Sequence, residues 1–158
     1  MDIRYSRGLD ELCLTQWAKH PKLQPFLACR GDEEIKNFCR TWIFFAQKQA
    51  GLSVVIKDTN VGMGVLILMP YQKVMHHAML QIMVDPDQAR QGVGSTLLKN
   101  ILHLAKDYLK LEMVFMELIG PTPHLSFFLK RGFKVYAEQK GYVQGSHPDK
   151  ILLEYSLI

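Results

Sequence analysis

A β-type run at residues 76–84 passes through a turn with two glycines directly into an amphipathic helix predicted over residues 94–110. The apolar side chains that indicate this helix recur on one face, at Leu97, Leu98, Ile101, Leu102, Ala105, Tyr108 and Leu109. An apolar run at residues 113–119 comes next, followed by a helix with Thr122 as its N-cap and Gly132 as its stop. Because parallel strands need a crossover connection, this alternation predicts parallel pairing in the second half of the chain.

The first half of the chain has a different order of elements. A helix that ends at Pro21 and a second helix that opens at Asp32 precede two β-type runs, which the turn at residues 58–60 joins as a hairpin. The remaining strands are predicted at residues 3–6, 52–57, 64–69, 133–138 and 151–157. The chain has 158 residues, 48% of them hydrophobic, and no repeat or linker, so we expect one domain over residues 1–158, of mixed α/β (α+β) class.

Charge and hydropathy exclude several classes of partner. The net charge is only +4 and is spread along the chain, which argues against nucleic acid as a partner and mildly favours a small anionic ligand. No apolar stretch approaches the roughly 20 residues that cross a membrane, and the first residues do not form a signal peptide. The spacing of Cys13, Cys29 and Cys39 suits neither a disulfide framework nor a zinc site. We therefore expect a cytoplasmic protein with reduced thiols and no membrane partner.

The turn before the predicted helix suits a phosphate. Gly92 and Gly94 remove side chains where the chain enters the helix, so backbone N–H groups and the positive end of the helix dipole face outward together. No glycine stands at position 97 for a dinucleotide fingerprint, and no Gly-Lys-Ser/Thr forms a P-loop. A tight turn without a ligand is the alternative interpretation of the same residues.

This segment resembles motif A of the GNAT family of N-acetyltransferases: a strand that ends at Val84, then Asp-Pro, then Arg-Gln-Gly-Val-Gly, then an amphipathic helix. Residues 115–118 resemble the next strand of the family, and residues 125–133 resemble its motif B helix, which closes with Gly-Phe. The resemblance covers residues 76–158, and this half is also similar to ribosomal-protein alanine N-acetyltransferases.

The resemblance implies a fold and a reaction. The fold would be a mostly antiparallel sheet with parallel central strands, flanked by four helices. The reaction would be transfer of the acetyl group of acetyl-CoA to a primary amine, on a small molecule or a protein, by direct attack. It would involve neither a metal nor a covalent enzyme intermediate. A non-catalytic acyl-CoA-binding module is the alternative, and relatives often dimerise, which leaves a homodimer open.

The resemblance also implies cofactor-binding residues. The backbone of Ile82, Met83 and Val84 would bond the pantetheine amides of acetyl-CoA, as an added strand does. The pyrophosphate would lie against a second set: Arg90, Gln91, Gly92, Val93, Gly94 and Ser95. The chain departs from the family at Ala89, where a Gln or Arg is usual. We expect weakened rather than lost binding there, with Arg90 as a candidate for compensation.

Glu117 is the first candidate for the base. Acetylation needs a neutral amine, and at pH 7 deprotonation costs about 4.6 kcal/mol for a lysine but only about 1.4 kcal/mol for an α-amine. Glu117 is the one acid in the apolar run at residues 113–119, so its pKa is expected to rise toward the working range. It also matches the catalytic Glu of the alanine acetyltransferases if one residue is deleted from the next loop. The alternative is a glutamate that reaches solvent or pairs with a lysine.

His76 is the second candidate, because a neutral imidazole has a suitable pKa and some members of the family use a histidine on this strand. Strand alternation would place His76 on the same face as residues 78 and 80, where relatives carry their bases. A solvated strand start is the alternative for His76 and for its neighbour His77.

Two aromatic residues complete the predicted site. Phe128 stands where the family carries the tyrosine that protonates the departing thiolate, so we expect cofactor contact without that proton. A thiol with a pKa near 8.5 can leave unprotonated for about 2 kcal/mol at pH 7, so the reaction would be slower but not lost. Tyr142, in the predicted loop at residues 141–150, is the expected substrate contact, or else an ordinary exposed aromatic. The sequence does not identify the amine.

Overall fold

The computed structural model describes residues 1–88, 91–120, 123–145 and 149–158. The strands are β1 Asp2–Tyr5, β2 Gly51–Ile56, β3 Thr59–Leu68, β4 His77–Val84, β5 Met113–Ile119, β6 Lys134–Gln139 and β7 Lys150–Ser156. The α-helices in the described ranges are α1 Glu11–Lys19, α2 Asp32–Phe45, α3 Val93–His103 and α4 Leu125–Leu129. The segment Ala46–Ala50 continues α2 but leaves helical geometry at Lys48 and Gln49, and the π-helical segment Leu104–Tyr108 extends α3. None of the helices in these ranges is long and apolar enough to cross a membrane.

All seven strands form one sheet in the order β1-β2-β3-β4-β5-β7-β6. Among the described strands, β4 and β5 are the one pair in parallel, and the other neighbours are antiparallel. The predicted mixed class with a mostly antiparallel sheet and four helices is confirmed.

Parallel pairing after α4 was predicted wrongly, because β7 lies between β5 and β6. Side-chain polarity accounts for this order. The apolar β7, with Leu153 fully buried, takes the interior position, whereas β6 has mostly exposed residues and forms the edge.

Local boundaries differ from the predictions at two other turns. The hairpin between β2 and β3 turns at Lys57 and Asp58, which both have positive φ, and Asn60 already belongs to β3. Two left-handed residues suit the twist of a two-residue hairpin turn. Helix α4 begins only at Leu125, with Pro123 in a turn before it, while Thr122 lies outside the described residues.

The sheet carries a separate core on each face. Helix α3 and Phe128 of α4 pack on one face, together with Leu80 and Leu153, and we call this cluster the α3 core. Helices α1 and α2 pack on the other face against β3 and Met83, and we call this cluster the α1–α2 core. The described members of the α1–α2 core include no residue of β5, β6 or β7. The α1–α2 core therefore does not cover that part of the sheet, although the short segment Gln24–Phe26 contacts β5.

Asp10 ties the N-terminal strand to the sheet. The residue is only 5% exposed, and its carboxylate accepts hydrogen bonds from both guanidinium ends of Arg4 at 2.7 and 2.8 Å and from the backbone N–H of Arg7 at 2.7 Å. Ser53 and Asn60 donate to it from β2 and β3 at 3.2 and 3.0 Å. Burial alone would raise the pKa of Asp10, but these donors, Arg4 foremost, lower it to about 2.

Candidate active site

The parallel strands β4 and β5 separate along their length. Their register in the described residues has three pairs, from His77 with Met113 to Met79 with Phe115. Beyond this point β4 stays paired with β3 as far as Val84, and β5 stays paired with β7 as far as Ile119. Backbone groups that face the resulting gap need partners other than each other. An extended chain with amide groups can enter the gap and supply them.

The gap leads toward the start of α3. Gly92 is the N-cap residue with φ +79°, no side chain caps the helix, and Thr96 N–H donates to the Gly92 carbonyl at 3.0 Å. The N–H groups of Val93, Gly94 and Ser95 are therefore left without helical acceptors. A Cβ built on Gly92 would meet nothing within 4 Å. These N–H groups and the helix dipole together favour an anion at this position.

The other predicted cofactor residues surround this helix start. Ile82 and Val84 pack against the α3 core, while Met83 points into the α1–α2 core. Only their backbone is therefore available to a ligand in the gap. Gln91 is exposed and donates from its side-chain amide to Gln88 at 3.0 Å. Arg90, and with it Ala89, lies outside the described residues.

Two residues that the sequence analysis did not select, Phe127 and Arg131, also lie at the helix start. A Cβ on Gly94 would meet the Phe127 ring at 3.6 Å, so α4 packs directly on the first turn of α3. The Arg131 guanidinium lies over the Phe127 ring at 3.7 Å and donates from Nη2 to Ser95 Oγ at 2.8 Å. The four-residue spacing of Phe and Arg at the end of a predicted helix is the signal that could have identified this pair.

Phe128 has a packing role in the structure. It is 6% exposed, belongs to the α3 core and contacts Phe127 and Phe133 with ring centroids 5.0 and 5.5 Å apart. The side chain is apolar and well packed, so it offers no proton. Contact between Phe128 and the cofactor stays a prediction.

Glu117 lies on the face of β5 that points away from the α3 core, and the apolar enclosure expected for it is wrong. The residue is exposed, and its carboxylate accepts a hydrogen bond from Lys150 Nζ at 2.9 Å. Lys150 is the first residue of β7, and its ammonium also lies 4.4 Å from the centre of the Tyr142 ring. The lysine-paired alternative is the arrangement observed. Strand alternation explains the exposure, because Val114 and Met116 take the buried face and leave Glu117 on the other.

The structure thus brings Glu117 and Tyr142 together through Lys150, which the sequence analysis missed. Burial acts to lower the pKa of Lys150, but its hydrogen bond to Glu117 and the charge of that carboxylate outweigh burial and raise the pKa overall. Nearby, burial and the carboxylates of Glu117 and Glu154 raise the pKa of Tyr136. Glu117, Lys150, Tyr136 and Tyr142 form one cluster on this face of the sheet. It holds a carboxylate and an ammonium beside two phenol rings, which suits recognition of a polar acceptor.

His76 does not join this cluster. It is exposed in the turn before β4, so the predicted alignment with the buried Ala78 and Leu80 is wrong. Its ring contacts that of His77, with centroids 4.8 Å apart. His77 pairs with Met113, four residues before Glu117 on β5, a distance of about 13 Å along a strand. A catalytic role for His76 stays a prediction. Within the described residues, no three His, Cys, Asp or Glu side chains come together as a potential metal site.

Solved structures share this fold over almost their whole length. The ribosomal-protein-alanine N-acetyltransferase of Brucella melitensis is 18% identical with a TM-score of 0.81, and the match covers 99% of each chain. The ribosomal-protein-S18-alanine N-acetyltransferase of Escherichia coli is 16% identical with a TM-score of 0.76, over 99% of this chain and 93% of that one. A Salmonella typhimurium protein assigned as an acetyltransferase, solved with its cofactor acetyl-CoA, is 16% identical with a TM-score of 0.81, over 100% of this chain and 94% of that one.

The fold of this chain is thus shared with solved N-acetyltransferases. The family model of the acetyltransferase (GNAT) family matches residues 11–133, and the chain belongs to this family. Comparison of the sequence with curated proteins gives no match.

Proposed function

We propose that this acetyltransferase uses acetyl-CoA to acetylate a primary amine by direct attack. The observation that supports this best is the gap between β4 and β5, which leads to the three free N–H groups of Val93, Gly94 and Ser95. The gap suits an extended chain with amide groups, and the helix start suits a diphosphate. Pantetheine and the diphosphate are joined in this order in coenzyme A, so one ligand fits both features.

The backbone on the gap side of Ile82, Met83 and Val84 would bond the pantetheine amides. The N–H groups of Val93, Gly94 and Ser95 would donate to the diphosphate, with the dipole of α3 directed at its charge. Acetyl-CoA would supply an activated acetyl group as a thioester. The residues at the helix start then need only bind and orient acetyl-CoA, since none of them has to form a covalent bond with it.

In the proposed reaction the neutral amine nitrogen forms a bond to the acetyl carbon while the carbon–sulfur bond breaks and its electron pair leaves on sulfur. The amine must lose a proton, and Glu117 is the proposed acceptor of that proton, directly or through water. An incoming ammonium can replace Lys150 at the Glu117 carboxylate, because both are cationic donors of the same type. Tyr142, next to Lys150, is the proposed acceptor contact. Solvent would protonate the thiolate, since Phe128 carries no hydroxyl.

Binding and turnover test this proposal separately. Calorimetry with coenzyme A measures the binding site, and release of free thiol from acetyl-CoA with a panel of small amines, lysine peptides and peptides with free α-amines measures the reaction. We expect coenzyme A to bind and at least one amine to release thiol. Absence of coenzyme A binding would contradict the proposed site. Binding without thiol release across the panel would favour the acyl-CoA-binding module instead.

Replacement of Glu117 by Gln is expected to lower kcat about 100-fold and to leave the Kd of coenzyme A within twofold, since a general base acts on the amine and not on the carrier. Steady-state kinetics and calorimetry measure the two quantities. Glu138→Gln is the matched control, because Glu138 is an exposed acid on the edge strand β6. Lys150→Gln also breaks the ion pair but keeps the carboxylate. If it lowers kcat as much as Glu117→Gln, Glu117 has only a structural role in the pair.

A further inference from the structure

We propose that Arg131, just beyond the end of α4, is a ligand of the coenzyme A diphosphate. The inference rests on the proposed function, because it adds a side chain to the site assigned to the start of α3. Arg131 Nη2 lies 2.8 Å from Ser95 Oγ, and Ser95 carries one of the three free N–H groups. An anion bound to that N–H group would therefore lie within reach of the guanidinium.

The guanidinium is fixed by neutral groups. It stacks on the Phe127 ring at 3.7 Å, and Nη1 donates to the Phe127 carbonyl at 3.0 Å. Phe127 in turn packs against Gly94, which fixes the height of the ring above the helix start. An arginine has five donor N–H groups in a planar fork, and these contacts leave others for a phosphate oxygen.

The charge of Arg131 has no counterion in the described part of the chain. None of the ion pairs found among these residues includes Arg131, although its guanidinium lies beside the positive end of the α3 dipole. Two positive features held together without a carboxylate attract an anion. A diphosphate would neutralise both positive features. Its oxygen could replace the neutral Ser95 hydroxyl as the acceptor of the Nη2 hydrogen bond, which would then be charge-assisted.

The sequence shows why a second cation is useful here. Ala89, three residues before Gly92 in the sequence, has no polar side chain, although the family usually has a Gln or Arg there. Arg131 reaches the start of α3 from the end of α4, and so offers a side-chain donor of the kind that Ala89 cannot supply. A diphosphate bound both to Arg131 and to the N–H groups of α3 would connect the two helices in place of the Arg131–Ser95 hydrogen bond.

Calorimetry with three ligands tests this assignment: coenzyme A, dephospho-coenzyme A, which keeps the diphosphate but lacks the 3′-phosphate, and pantetheine, which has no phosphate. We expect Arg131→Gln to weaken both diphosphate ligands about tenfold and to leave pantetheine unchanged. Arg131→Lys, which keeps the charge but not the fork, should lose less affinity. Arg40→Gln, the same charge change at an exposed position on α2, is the control and should change no affinity.

Each other outcome has a distinct meaning. If the wild-type protein binds none of the ligands, the proposed function itself fails. If it binds coenzyme A and Arg131→Gln binds as well as Arg40→Gln, the role of Arg131 is overturned. An equal loss for pantetheine means that Arg131 supports only the fold, which thermal unfolding of the ligand-free variants would also detect. A loss confined to coenzyme A would place the contact at the 3′-phosphate and overturn the diphosphate assignment. Arg131→Lys provides the same comparison if Arg131→Gln does not fold.

Discussion

Replacement of Gly94 by Glu is expected to weaken coenzyme A binding more than 100-fold while the protein remains folded. Gly94 lies at the second position of α3, where its N–H group has no acceptor within the helix. A glutamate there would bring its negative charge into the place of the diphosphate and compete for the same N–H groups. The loss combines like-charge repulsion with occupation of the donors. Calorimetry at two salt concentrations measures it, and the loss should shrink at high salt.

The same substitution should not unfold the protein, because a Cβ at Gly94 would meet only ordinary contacts, with Phe127 at 3.6 Å and Val84 at 4.0 Å. An acid in the first turn also favours the helix dipole. Gly94→Gln is the matched control, since it has nearly the same size without the charge. If Gly94→Glu and Gly94→Gln lose equal affinity, crowding rather than charge is the cause. Full affinity in Gly94→Glu would contradict the placement of the diphosphate.

The sequence could predict the parts of the site that depend on neighbouring residues. The glycine turn at residues 92–94 depends only on local backbone geometry and on the amphipathic helix that follows it. The structure shows both the turn and the helix. The pairing of β2 and β3 as a hairpin and the acidic first turn of α2 are equally local, although the hairpin turns at Lys57 and Asp58 and not at the predicted residues 58–60. For such features the residues that determine the structure lie within a few positions of one another.

The parts that failed depend on residues far apart in the chain. Glu117 has apolar neighbours in sequence, but its environment is set by Lys150, which β7 brings beside it. The insertion of β7 between β5 and β6 follows from burial, because Leu153 of β7 belongs to the α3 core whereas no described residue of β6 does. Arg131 was missed for a related reason, because its partner Ser95 lies on another helix. Periodicity within one segment contains no information on which segments meet.

Replacement of Asp10 by Ala is expected to lower the free energy of unfolding by about 3 kcal/mol at pH 7, because it leaves Arg4 half-buried without its carboxylate. It also removes the acceptor of the Ser53 and Asn60 donors on β2 and β3. Urea unfolding measures the loss. Asp58→Ala, in the exposed hairpin turn, is the control, and it should lower the free energy of unfolding far less than Asp10→Ala does. An effect below about 1 kcal/mol would show that the Asp10 network contributes little to stability.

The stabilisation by Asp10 should also depend on pH. Because the pKa of Asp10 falls from an ordinary 3.8 to about 2 in the folded protein, the unfolded chain binds a proton that the folded chain does not. The contribution of Asp10 is therefore complete above the unfolded pKa and is lost as the pH falls toward the folded pKa. Urea unfolding between pH 7 and pH 2.5 measures the difference in free energy of unfolding between wild type and Asp10→Ala. We expect this difference to stay constant down to about pH 5 and to become smaller below it. A difference that stays constant below pH 4 would mean that the ionised carboxylate is not what holds β1 to the sheet.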